Sequence, residues 1–175
     1  MAAEPARQAP ATQGLLDGLR VVDLTDVRGA LCARILADLG ADVVRIQRPD
    51  DTSTDTFEHR FRNANKRGVR LDPASPDGRV AFDELLAAAD VLVDNVDLAD
   101  RARDGVDPED VARRHPHLVH VALTDMGLTG PRASWHLEPL PALAASGALY
   151  ASGFPDLPPC NAPGHLAHVC AAVHG

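Results

Sequence analysis

His165 and His168 stand three residues apart near the end of the chain, with Cys170 close behind. Imidazole and thiolate are metal ligands. These three positions do not share one helical face, however, and no fourth donor stands nearby, so no metal site is expected. His115, His117 and His120 surround a helix-to-strand turn and read as surface histidines. Asp125 follows the end of a short apolar run, where α/β folds place their ligands; it would either touch a substrate or cap the next turn. Cys32, Cys160 and Cys170 are odd in number and form no CxxC pair. That usage points to a reduced, cytoplasmic chain, with Cys32 a small core residue.

Groups of this kind need a scaffold, and the pattern supplies alternating strands and helices. LRVVDL (Leu19–Leu24) reads as a strand, and GALCARILADL (Gly29–Leu39) as a helix closed by Gly40. ADVVRIQ (Ala41–Gln47) is a second strand; Asp50–Arg60 has no hydrophobic period and reads as a loop. A short strand at Gly68–Leu71 precedes a helix capped by Ser75, with Pro76 in its first turn, running to about Ala88. Val91–Val93 and Leu118–Leu123 are further strands around a short helix at Asp107–Arg114. Helices are expected around Leu140–Tyr150 and in Gly164–Gly175. Repeated β-α-β units predict a Rossmann-like, three-layer parallel sheet with flanking helices.

Composition limits what this scaffold does. In 175 residues, 17 basic side chains face 25 acidic ones, for a net charge of −8. Such a surface does not attract a phosphate backbone, so no nucleic-acid partner is expected. Residues 1–13 are Ala/Pro-rich without an apolar core and read as a mobile tail before one domain at 14–175. No run is long and apolar enough for a membrane span. A dinucleotide site needs a Gly-rich first turn, and the turn from Asp23 to Gly29 holds a single glycine. Neither GxxxxGK[ST] nor GxSxG occurs, which removes the P-loop and the hydrolase elbow.

Five segments, in order, carry a resemblance: GLRVVDLTDV, ILADLGADVVRIQRP, FRNANKRGVRLDPASPDGR, AADVLVDN and HPHLVHVALTDMGLTGP. Together they resemble the amino-terminal half of the family III CoA-transferases, which include formyl-CoA transferase and α-methylacyl-CoA racemase. The resemblance covers about Gly14 to Gly175. It implies a fold truncated relative to the family, without its small domain and return segment. It also implies a homodimer or a complementary subunit, and a coenzyme A thioester as substrate or ligand rather than a tightly bound cofactor.

The family's CoA site maps onto Asp26, Val27 and Arg28, then Arg45 and Arg48, then Asn65, Lys66 and Arg67, with Asn95 and Arg103 further on. Arginine and lysine suit the phosphates of CoA. The chain departs from the pattern at Gly29-Ala30-Leu31 and at Asp97-Leu98-Ala99. The transferases use an aspartate nucleophile that forms a mixed anhydride with the acyl group, and the matching position is His168. Imidazole cannot form that anhydride, so ordinary CoA transfer is not expected. In the racemases the aspartate pairs with a histidine, whose position falls on Glu138, with His136 as a competitor. A Glu138/His168 couple would serve α-proton transfer on an acyl thioester, for epimerisation, isomerisation or elimination. The alternative is a non-catalytic, degenerate binding or partner subunit.

Overall fold

The structure is a computed structural model, and it describes residues 14–51, 56–162 and 164–175. The expected tail at 1–13 lies outside the described residues. In chain order the elements are β1 (Arg20–Leu24), α1 (Ala30–Asp38), β2 (Asp42–Gln47), α2 (Phe57–Arg62), β3 (Arg67–Arg70) and α3 (Pro76–Ala87). They continue with β4 (Val91–Asp94), α4 (Arg101–Asp104), α5 (Pro108–Arg114), β5 (Val119–Ala122), α6 (Pro139–Ala145) and α7 (Leu166–His174). The five strands form one parallel sheet in the order β3-β2-β1-β4-β5.

The sheet is covered on both sides, as a parallel sheet requires. Successive strand residues point to opposite faces. Val22, Leu24, Ile46 and Leu92 therefore pack with Phe82 and Leu86 of α3 on one side. Val21, Val43 and Val93 pack with Cys32, Ala33 and Ala37 of α1, and with Ala172 of α7, on the other. Cys32 is buried, as its place in the first helix predicts. Gly40 ends α1 at φ +105°, and a Cβ there would stand 2.7 Å from the Gly14 backbone, so the position demands glycine twice over. At α3 the Ser75 hydroxyl accepts the Gly78 N–H at 3.1 Å, the cap its sequence predicts.

Three expectations are corrected. The stretch read as a loop at Asp50–Arg60 contains α2, which Thr56 caps by accepting the His59 N–H. Its phenylalanines, Phe57 and Phe61, stack on each other one turn apart and are exposed, so the helix has no inward apolar stripe to betray it. The short α4 was not expected; Gly105, at φ +71°, ends it. Of the three supposed surface histidines only His117 is exposed. His115 is buried 3.5 Å from Asp83, and His120 is half-buried with Nε2 2.5 Å from Asp94. Among the described residues no helix is long and apolar enough to cross a membrane.

Candidate functional site

In this strand order β1 and β4 are neighbours whose onward connections run to opposite sides of the sheet. The crevice beyond their carboxyl ends is where such folds bind ligands. The two strand ends are clasped there. Asn95 Nδ2 donates to Asp26 Oδ1 at 2.6 Å, and the Asp26 N–H donates to Asn95 Oδ1 at 3.0 Å. Arg28 closes the cluster, with Nε donating to Asp26 Oδ2 at 2.9 Å and its guanidinium 3.6 Å from Asp97. Burial raises the Asp26 pKa, and the bonds from Arg28 and Asn95 more than reverse this, so the carboxyl stays below its ordinary range.

A cleft of about 630 Å³ opens beside this clasp. Arg28, Arg45, Arg48 and Arg103 line it together with Asp26 and Asn95. Arg45 donates from Nη2 to Asp51 at 3.0 Å and lies 3.0 Å from His59 Nε2. Burial, and then the charge of Arg45, hold the His59 pKa below its usual value. Arg48 reaches Asp104 at 2.5 Å, and Arg103 bonds the other oxygen of Asp104 at 3.0 Å and Asp100 at 2.9 Å. Val27 is exposed and lines an adjoining hollow of about 340 Å³ with Arg45, His59 and Arg62.

The NKR segment lies apart from these cavities. Lys66 carries its ammonium inward, onto Asp23 at 2.6 Å, the Ala30 carbonyl at 2.7 Å and Asn63 at 3.0 Å, and its side chain is 1% exposed. Burial lowers its pKa against the pull of Asp23. Asn65 sits at φ 64° and donates to Asp38, while the exposed Arg67 forms a two-point pair with Asp42.

A smaller hollow, about 60 Å³, shares Arg28, Asn95 and Asp97 with the cleft. His168 of α7 lines it together with residues of the loop after β5, including Asp125, Trp135 and His136. His168 is half-buried and stacks on His165 with ring centres 5.6 Å apart. Burial, then the charges of His165, Arg62 and Arg28, push its pKa below the usual value, leaving it a neutral base near pH 7. His136 Nδ1 lies 3.5 Å from Asp97 and 3.9 Å from Asp125. Glu138 does not line this hollow; it occupies the exposed N-cap position of α6 and makes no capping bond there. Asp125 accepts the N–H of Leu137, twelve residues on, and so anchors the whole loop rather than the next turn. Asp104 escaped sequence reasoning; its only signal was the alternation of charges in Asp100-Arg101-Ala102-Arg103-Asp104. Among the described residues no group of His, Cys, Asp and Glu is placed to hold a metal ion.

Comparison with known proteins places this geometry. The model of "CoA-transferase family III" matches residues 16–175. An acetyl-CoA:oxalate CoA-transferase of Acetobacter aceti is 34% identical over 92% of this chain and 44% of its own length. A succinyl-CoA:glutarate CoA-transferase of Mus musculus is 31% identical over 81% of this chain and 35% of its own length. A CAIB/BAIF family protein from Brucella suis superimposes with a TM-score of 0.83 at 26% identity, over 93% of this chain and 48% of that one. The chain thus spans less than half the length of these relatives. The sheet order, the cleft at the ends of β1 and β4, and a family match across nearly every described residue agree: this chain belongs to CoA-transferase family III.

Proposed function

We propose that the chain handles an acyl thioester and moves a proton at the carbon α to its carbonyl. The observation that carries this reading is the neutral, half-buried His168 lining one hollow with His136 and Arg28. His168 takes the α-proton, and the C–H electron pair becomes the enolate. Arg28, fixed by Asp26, sets a positive charge beside that enolate. His136, beside the carboxylates of Asp97 and Asp125, returns a proton to the carbon. The pair proposed is therefore His136/His168, with Glu138 outside the hollow. Transfer through an aspartyl anhydride has no carboxylate at position 168 to form it.

A second reading, a non-catalytic binding or partner subunit, is favoured by a different observation. Every arginine of the cleft is already paired with an aspartate. In either case a homodimer or a complementary subunit would cover the exposed Leu140, Tyr150, Phe154 and Leu157.

Deuterium uptake into 2-methylacyl-CoA in heavy water separates the readings. The catalytic reading expects uptake that falls at least about a hundredfold in both His168→Ala and His136→Ala, and little in Glu138→Gln. No uptake above the protein-free control, with the thioester still bound, establishes the binding subunit.

A further inference from the structure

Among the described residues, the cleft that would receive the thioester carrier is lined by seven aspartates against four arginines, a formal excess of three negative charges. None of the four arginines is free. Arg28 is held by Asp26, Arg45 by Asp51, and both Arg48 and Arg103 by Asp104. Asp104 decides the balance, because its side chain is 1% exposed and its two oxygens each hold one guanidinium. Burial pushes its carboxyl up, and the bonds from Arg103 and Arg48 bring it below the ordinary range, so it stays charged at neutral pH. A phosphate that drew either arginine away would leave a buried carboxylate short of a partner, a strongly unfavourable exchange. The one lysine of the chain offers no substitute, since its ammonium is buried on Asp23.

Building on the acyl-thioester reading above, we infer that the carrier in this cleft is a pantetheine arm without the 3′-phospho-ADP of coenzyme A. The pantetheine portion of such an arm is an uncharged chain of amides and hydroxyls. Its N–H and O–H donors suit a wall rich in carboxylates, and the cleft is large enough for a chain of that kind. The nucleotide end of CoA, with its dense phosphates, meets a wall of its own sign. The same pantetheine occurs as a small free thioester and, tethered through one phosphodiester in place of the dense phosphates of CoA, as the prosthetic arm of a carrier protein.

Three probes with the same 2-methylacyl group test the inference: the acyl-CoA, the acyl-pantetheine and an acyl carrier protein. Affinity and α-deuterium uptake are measured for each at low and at high salt. Acyl-pantetheine is expected to bind at least as tightly as acyl-CoA, with little salt dependence of its own, and salt is expected to strengthen rather than weaken acyl-CoA binding. A carrier protein that outperforms acyl-pantetheine identifies the protein-borne arm as the source, and equality identifies the free thioester; both support the inference. Acyl-CoA favoured more than about tenfold, with affinity falling steeply in salt, overturns it and leaves the acyl-thioester reading standing. Failure of all three probes to bind overturns the acyl-thioester reading itself. Asp104→Asn is expected to release Arg48 and Arg103 and to raise CoA affinity about tenfold, and a folded variant without that gain overturns the role of Asp104. Where that variant does not fold, Asp100→Asn, which frees only the exposed side of Arg103, is expected to shift CoA affinity the same way by a smaller factor.

Discussion

The sheet and the segment after it are made from similar apolar side chains and use them differently. In the sheet, Val21, Val43, Leu92 and Val93 are at most 1% exposed, with Phe82 and Leu86 closed over them. Among the described residues from 124 onward only Leu143 and Ala172 are buried hydrophobics, while Tyr150 is 97% exposed and Phe154 73%. A parallel sheet has two faces, and α1 and α3 follow their strands closely enough to cover both. The later segment leans mainly on α1, through α7, and on itself, through α6 against α7, with Ala172 its buried contact to the sheet side. The candidate site straddles this boundary: Arg28 and Asn95 stand on the sheet, and His136 and His168 on the lightly packed segment. The proposed binding groups are thus held by a closed core, whereas the proposed proton-transfer groups depend on whatever stiffens the outer segment.

The largest expected effect breaks the sheet side. Arg101 is 1% exposed, chelates Asp94 with two nitrogens at 2.9 and 3.0 Å, and donates to the carbonyls of Val96 and Val106. Arg101→Leu leaves Asp94 buried without its main partner, and is expected to lower stability by about 3–5 kcal/mol in equilibrium urea unfolding. Asp94 also accepts the Val96 N–H at 3.0 Å, so the same change loosens the turn that presents Asn95 to Asp26. Stability and ligand affinity should therefore fall together in this variant.

A smaller contrast sharpens the comparison directly. Leu92→Ala empties a fully buried site in the central part of the sheet, with an expected loss of about 2–5 kcal/mol. Tyr150→Ser removes a larger side chain that the chain leaves in solvent, and should change stability by less than about 0.5 kcal/mol. A large loss at Tyr150, measured at a concentration where the chain associates and absent on dilution, would instead mark a contact with a partner.

How much of this could be read from residues alone follows the same boundary. Alternation in LRVVDL, the Gly40 stop and the Ser75-Pro76 start are local signals, and each produced its element. Helix α2 shows no apolar period in the sequence because Phe57 and Phe61 are exposed; only Thr56, its cap, announces it. In the site, ordered resemblance brought Asp26, Arg28, Arg45, Arg48, Asn95 and Arg103 to one cleft. It could not give their partners. Lys66 and Asp23 are 43 residues apart, and Arg48 and Asp104 are 56 apart. A basic residue in a sequence looks like a surface cation until the fold delivers a carboxylate to it. The placement of Glu138 outside the hollow has the same origin, since the path of the loop after β5 is set by long-range bonds such as that from Leu137 to Asp125.

The finest effect lies at the join of the two regions, in the titration of His168. Its folded pKa lies below the ordinary imidazole value of about 6.5, first because burial disfavours the cation and then because His165, Arg62 and Arg28 stand near. The unfolded chain therefore binds a proton that the folded chain refuses between these two values. Stability from this group is complete above the unfolded pKa and is lost as pH falls through about 6.5 toward the folded value. Proton NMR of the His168 ring should give a midpoint below 6.5, and His168→Gln should flatten the acid limb of the stability curve slightly. Arg28→Gln removes one of the nearby charges and should move the midpoint upward while burial holds it below 6.5. A midpoint at or above 6.5 would mean that the outer segment does not bury His168 against the sheet, and α7 would then lie too loosely to place a base beside Arg28.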